Sequence, residues 1–165
     1  MGNNLFEIDG GSLRKYRGNE SAVFVPLGVK TVDTKAFEGC DAVKEITLPE
    51  TASVFNHASL GAMPRLEKVT FLGKEKLTTR TMIFYRSASP LSIVFAGDSE
   101  TFLKSVAPYT IVDYEYDPDL GRDTRVSRTY YPLAHSLGDQ IVYKVTCLGD
   151  GKSFTLKGDG GKPVD

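Results

Sequence analysis

Val23-Phe24-Val25-Pro26 is matched 23 residues later by Ile46-Thr47-Leu48-Pro49, after a further 23 by Val69-Thr70-Phe71, and 24 residues beyond that by Ile93-Val94-Phe95. Within each stretch the first and third residues are apolar, the period-2 pattern of a strand with one buried face. A strand this short cannot bury that face alone. A fixed period of this length therefore implies one supersecondary unit stacked on copies of itself. Val23, Val25, Ile46, Leu48, Val69, Phe71, Ile93 and Phe95 are expected to point inward from about four adjacent parallel strands.

The repeat continues beyond its strands. After Pro26 come Val29, Val32, Ala36-Phe37 and Cys40; one period later stand Ala52, Phe55, Ser59-Leu60 and Met63, small or apolar residues of similar size. Apolar spacings of three to five behind a period-2 strand are what a corner set by proline and a short helical turn leave in sequence. The third unit drifts. Gly73 replaces the strand-end proline, Thr78 is expected in the slot of Val32 and Phe55, Ile83 in that of Phe37 and Leu60, and Arg86 in that of Cys40 and Met63.

On the N-terminal side, apolar stretches at 6–8 and 13–16 flank Asp9-Gly10-Gly11, a turn signal that predicts a hairpin capping the open end of the repeats. On the C-terminal side, residues 98–107 read as a helix started by Asp98 or Ser99, with Phe102, Leu103 and Val106 on one stripe. Residues 111–116 and 124–131 alternate as strands, 132–140 read as loop or a helical turn, and 141–148 with 153–157 read as a hairpin closed by Gly149-Asp150-Gly151-Lys152. The chain thus divides into a capping hairpin (1–20), repeats (21–97), an α+β cap packed on the last repeat (98–157) and a Gly-rich tail (158–165).

The succession strand-Pro, Val29-x-x-Val32, Ala36-Phe37-Glu38-Gly39-Cys40 and Val43-x-x-Ile46-x-Leu48-Pro49 resembles the BspA-like, or treponemal-type, leucine-rich repeat of bacterial proteins. The resemblance covers residues 12–97 and is best over 21–49. Phe95-Ala96-Gly97-Asp98-Ser99-Glu100 resembles the passage from last strand to short helix in that family. The resemblance implies a repeat solenoid, mainly β with short helical turns, whose parallel strands form one leucine-rich-repeat sheet between an N-terminal hairpin cap and a C-terminal α+β cap. Repeats of this kind are associated with adhesion and protein binding.

Composition narrows the partners. Among 165 residues, 20 basic side chains stand against 21 acidic, so no global field draws the chain toward nucleic acid or anionic lipid. No apolar run approaches the ~20 residues that span a bilayer, and residues 1–8 lack both a basic n-region and an apolar h-region. As written the chain reads as cytoplasmic; as a piece of a larger protein it reads equally as cell-surface or secreted. Two cysteines are too few for a disulfide framework, and Cys40 and Cys147 are expected as small buried apolar residues.

Several constellations suggest chemistry and are better explained without it. Gly151-Lys152-Ser153 ends like a phosphate-binding loop, but Thr146 stands where that motif needs glycine, and Phe154-Thr155-Leu156 alternates as a strand where a helix is required. Asp113, Glu115, Asp117 and Asp119 lack calcium-loop spacing, with Gly121 and Arg122 in the wrong places; pairing with Arg122, Arg125 and Arg128 across a turn is the simpler account. Those arginines with Tyr130 and Tyr131 could hold single-stranded nucleic acid, yet the neighbouring carboxylates would repel phosphate. His57, His135, Cys40 and Cys147 show no zinc-ligand spacing, and Ser136 beside His135 sits in no nucleophile elbow.

The expected function is therefore a noncatalytic recognition module without cofactor or metal, presenting a sheet surface to a protein or glycan. Residues between the buried ones should form outward rows: Ala22, Glu45, Lys68 and Ser92 in one, Phe24, Thr47, Thr70 and Val94 in the next. Phe24, Glu45, Thr47, Lys68, Thr70 and Val94 are the candidate partner-binding residues. No motif names the partner or the oligomeric state, and neither nucleic-acid binding nor membrane insertion is expected. The alternatives are a small enzyme or ligand-binding domain in 98–165 carried by the repeats, or a structural spacer of a larger surface protein.

Overall fold

In the computed structural model of the chain, the described residues are 5–80, 82–87, 90–134, 140–159 and 162–164. The first half consists of short strands: β1 (Phe6–Asp9), β2 (Ser12–Tyr16), β3 (Ala22–Phe24), β4 (Thr31–Val32), β5 (Glu45–Leu48), β6 (Val54–Phe55), β7 (Lys68–Phe71), β8 (Thr78–Thr79) and β9 (Leu91–Phe95). The helix α1 (Ser99–Val106) follows, then β10 (Tyr109–Asp117), β11 (Arg122–Tyr130), β12 (Gln140–Cys147), β13 (Lys152–Asp159) and β14 (Lys162–Val164). Among the described residues the chain is thus mainly β, and its two larger sheets are mixed. One has the order β14-β13-β12-β9-β7-β5-β3, a second β1-β2-β4-β6-β8, and β10 with β11 form a third by themselves.

The core lies between the two larger sheets. Val23, Ile46, Val69, Ile93 and Val145 are register partners across the parallel strands β3, β5, β7, β9 and β12, and all are buried. Leu48, Phe71, Phe95 and Cys147 make the neighbouring buried row. Leu13, Val32, Phe55 and Thr79 align in the second sheet across β2, β4, β6 and β8. Phe55 meets Phe71 edge-on with ring centroids 5.3 Å apart, so one sheet touches the other. Phe37 and Leu60, on the turns between them, are fully buried.

The backbone repeats as faithfully as the side chains. Left-handed φ recurs at Lys35, Ala58 and Met82, and again at Gly39, Ala62 and Arg86, positions 23 and then 24 residues apart. A residue bearing Cβ loses about 1 kcal/mol or more in this region. The stacked turn imposes it on Ala62 and Arg86 even where glycine is absent.

Three expectations need correction. The extra residue of the third unit lies between Phe71 and Thr78, because Leu48 pairs with Phe71 but Phe55 pairs with Thr79. Thr79, not Thr78, therefore fills the buried slot, its Oγ1 donating to the Ser105 carbonyl at 2.5 Å. The same shift brings Phe84 opposite the Leu60 position and puts buried Ser87 where Arg86 is expected; Arg86 stays exposed, with its guanidinium 5.1 Å from the centroid of the Tyr85 ring. Second, the parallel run holds five strands, not about four: β12 joins β9 in parallel, and β13 continues the sheet antiparallel. Third, the stretch expected as a tail holds strand at 158–159 and 162–164, since β13 runs to Asp159 and β14 pairs back on it with Lys157 opposite Val164. In addition, the strands expected at 111–116 and 124–131 run over Tyr109–Asp117 and Arg122–Tyr130.

The helix closes the side of this stack. Asp98 accepts from Thr101 N at 2.8 Å as N-cap, and the Phe102 ring lies 5.6 Å from Phe95. Ser105 Oγ accepts from Leu77 N at 2.8 Å, holding the edge of β8. The turn after β12 passes close to the start of the helix. Gly149 N donates to Gly97 O at 2.9 Å, and a Cβ on Gly149 would stand 2.6 Å from the Gly97 carbonyl carbon.

Two substitutions should move stability in opposite directions. Phe37→Ala opens a cavity in a fully buried site and should destabilise by about 3–5 kcal/mol. The Ser59 hydroxyl is buried without a hydrogen-bond partner among the described residues, and Ala36 occupies the equivalent place one period earlier. Ser59→Ala should therefore stabilise by about 1 kcal/mol. Denaturant titration of both variants checks the pair.

Candidate functional site

Alternation along the strands turns every second residue of the larger sheet outward. Ala22, Glu45, Lys68, Ser92 and Lys144 are register neighbours in one outward row, and Phe24, Thr47, Thr70, Val94 and Thr146 in the next. Two residues further on, Pro26, Pro49, Leu72, Ala96 and Leu148 form a third row. Its register is held by Leu72 N to Leu48 O at 3.1 Å, Ala96 N to Phe71 O at 3.0 Å and Leu148 N to Phe95 O at 2.9 Å. The face is graded: polar at the strand starts, threonine-rich in the middle, apolar along the strand ends.

The apolar end is open to solvent at β3. Phe24 is 70% exposed and Leu27 72%, while Leu72 is about half exposed at 48%. With Pro49 as floor and Thr47 and Glu50 beside them, they line a hollow of about 320 Å³. Two smaller hollows also meet at Phe24: one of about 150 Å³ toward Tyr16 and Glu20, and one of about 70 Å³ between Glu45, Lys68 and Thr70. Four of the other five residues singled out in the sequence, Glu45, Thr47, Lys68 and Thr70, thus cluster around Phe24. Val94 does not; it lies on β9, three strands from Phe24, and lines none of these hollows. Leu27, Pro49 and Leu72 were not foreseen. The signal for Pro49 and Leu72 was one step further along the same period, where Pro26, Pro49, Leu72 and Ala96 are all apolar.

The remaining candidates fall into structural roles. Glu115 and Arg128 form an ion pair across β10 and β11, and Asp117 stands opposite Arg122. Arg125 departs from the expected pairing: it is opposite Tyr114, on the other face of the ribbon. Gly151 closes the β12–β13 turn, its N–H donating to Cys147 O at 2.9 Å, and Lys152-Ser153 opens a strand. His57 is exposed with its ring 6.1 Å from that of Tyr85. His135 and Ser136 lie outside the described residues. Cys40 and Cys147 are free and buried, and burial raises both thiols, that of Cys147 to about 11. Both are therefore protonated and poor nucleophiles at neutral pH. Among the described residues no group of three or more His, Cys, Asp or Glu side chains is placed to hold a metal ion. A cleft of about 490 Å³ between β8 and the start of β10 is lined by Lys76, Arg80, Lys104 and Tyr109 among others.

Comparison with protein-family models, with curated proteins and with solved structures finds no match. The role of the chain is read from its own residues.

One carboxylate ties the helix to the sheet, another caps the helix, and together they set a pH dependence. Asp150 accepts from Ser99 Oγ at 2.6 Å and Ser99 N at 3.0 Å, and these bonds hold its carboxyl below the usual range. The Thr101 amide does the same for Asp98. A carboxyl with a lowered folded pKa adds stability above its unfolded value, near 4, and loses it as the pH falls through the folded value. Thermal stability should therefore drop below about pH 4. Asp150→Ala should lower the midpoint at neutral pH and make its fall in acid shallower, as scanning calorimetry across pH can show.

Proposed function

We propose that this chain is a noncatalytic recognition module, a solenoid of the BspA-like leucine-rich-repeat kind, that receives an apolar side chain of a protein or glycan partner in the hollow around Phe24. The observation that carries this reading is the graded outer face, with Phe24 of its middle row exposed beside Leu27 and Leu72 around one hollow. Isolated exposed apolar residues are ordinary, whereas a cluster with a polar margin is the arrangement of a binding surface. Glu45 and Lys68 supply that margin one row away.

The solenoid reading draws support from the two parallel ladders and from left-handed turns recurring at the repeat spacing. The alternative of a separate enzyme or ligand domain in 98–165 draws less. Residues of that segment extend the sheet through β12 and cover its side through Phe102. Among the described residues no helix is long and apolar enough to cross a membrane.

The test is selection of ligands from random peptide and glycan displays on the intact chain, followed by measurement on Phe24→Asp combined with Leu72→Ser. Selected ligands should lose roughly tenfold or more in affinity, since an apolar anchor contributes about 1–3 kcal/mol. The thermal midpoint should barely move, because exposed positions usually contribute within about 0.5 kcal/mol. Unaltered affinity would place the binding surface elsewhere. A collapsed midpoint would show that Phe24 belongs to the core.

A further inference from the structure

The third sheet is a ribbon of two nine-residue strands, β10 and β11, paired with no other strand among the described residues. Every residue from 110 to 116 is exposed, and Tyr114 and Tyr116 are each about two-thirds exposed at 66% and 65%. Among the described residues, the contacts that anchor the ribbon lie at its root. There the Tyr109 and Tyr130 rings stack at 5.3 Å, and Tyr109 Oη donates to Thr79 O at 2.9 Å. A two-stranded ribbon wet on both faces is marginal in water, and a third strand or a packed face is what ordinarily stabilises one.

The two edges of the ribbon differ. Thr124 Oγ1 donates to Glu115 O directly opposite, and Gly121 N donates to Asp117 O at the tip, so the odd-numbered backbone groups of β10 face β11. Alternation turns those of Tyr114 outward, and there the Tyr114 N–H is already held by the Asp113 carboxylate at 2.8 Å. Asp113, Glu115 and Asp117 crowd this strand with like charge, which discourages a second β10 beside it. On β11 the outward backbone groups are those of Asp123, Arg125, Ser127 and Thr129.

We propose that β11 pairs with β11 of a second copy of this chain, antiparallel about Val126, to give a four-stranded sheet with two-fold symmetry. In this register Val126 faces Val126 of the second copy, Ser127 faces Arg125, Thr124 faces Arg128, Asp123 faces Thr129 and Arg122 faces Tyr130. No like charges stand directly opposite, and Arg122 meets an aromatic face. Centring β10 on its own midpoint would instead set Asp113 against Asp113. The two-fold also sends the two bodies to opposite ends of the new sheet. The contact is isologous and closes at the dimer. It is independent of the hollow at Phe24.

Sedimentation of the intact chain over a range of concentrations, with three variants, tests this. The wild type should pass from monomer to dimer. Ser127→Pro removes an outward N–H and leaves the β10–β11 ladder intact; it should raise the dissociation constant roughly tenfold or more with the thermal midpoint little changed. Val126→Cys should form an interchain disulfide under mild oxidation, because directly opposed non-hydrogen-bonded residues bring their Cα atoms to about 4.5 Å. Thr124→Cys, which faces Arg128, should not. Cys40 and Cys147 are buried and do not confuse the assay. A wild type that stays monomeric at its highest soluble concentration overturns the proposal. So does a dimer that survives Ser127→Pro and leaves Val126→Cys uncrosslinked, or one abolished by Phe24→Asp alone, which would make the hollow the contact between copies.

Discussion

Among the described residues no strand before β10 is longer than five residues, and none can keep its apolar face from water without the next. The in-register stacking of buried side chains is the constraint on which everything else depends. Each strand of the larger sheet adds a residue or two to rows such as Val23-Ile46-Val69-Ile93, each side chain worth about 1.5–3 kcal/mol when fully buried. Because each rung covers only its neighbours, the gain accumulates with the stack. The cost of strained left-handed residues at Ala62 and Arg86 is borne by the same stack.

Much of this was legible in the residues, for a physical reason. Period 2 within a strand and period 23 between strands are both set by burial, and burial selects side chains directly. Val23, Ile46, Val69 and Ile93 announce their register without help. The third unit misled because the added residue falls in a loop, between Phe71 and Thr78, where burial selects little. Two adjacent threonines then gave no sign of which one faced inward; Ser105 on the helix decides it by accepting the Leu77 amide and receiving the Thr79 hydroxyl.

The strand β12 shows another limit. Its apolar run is legible, and so is its hairpin with β13, because a short turn joins them. Its parallel seat on β9 is not, since more than forty residues intervene and no local pattern reports so distant a partner. The outer face was read in part: alternation placed Phe24, Glu45, Thr47, Lys68 and Thr70 correctly on one surface. Leu27 escaped because it lies beyond the strand, where alternation no longer tells which way a side chain points. The face of the sheet, once the core is satisfied, is free to vary, and its gradation from Glu45 and Lys68 to Leu72 and Leu148 is not required by the core.

The stacked rings of Tyr109 and Tyr130 mark a seam in the chain. They stand directly opposite one another, so the chain leaves the body and returns to it across a single strand spacing. Topologically the ribbon between them is an insertion. Lengthening or deleting it changes the closure entropy of one surface connection and leaves every buried row in register. The buried rows of the body keep their stacking whatever the length of the ribbon, which separates the residues that hold the core from those of the ribbon.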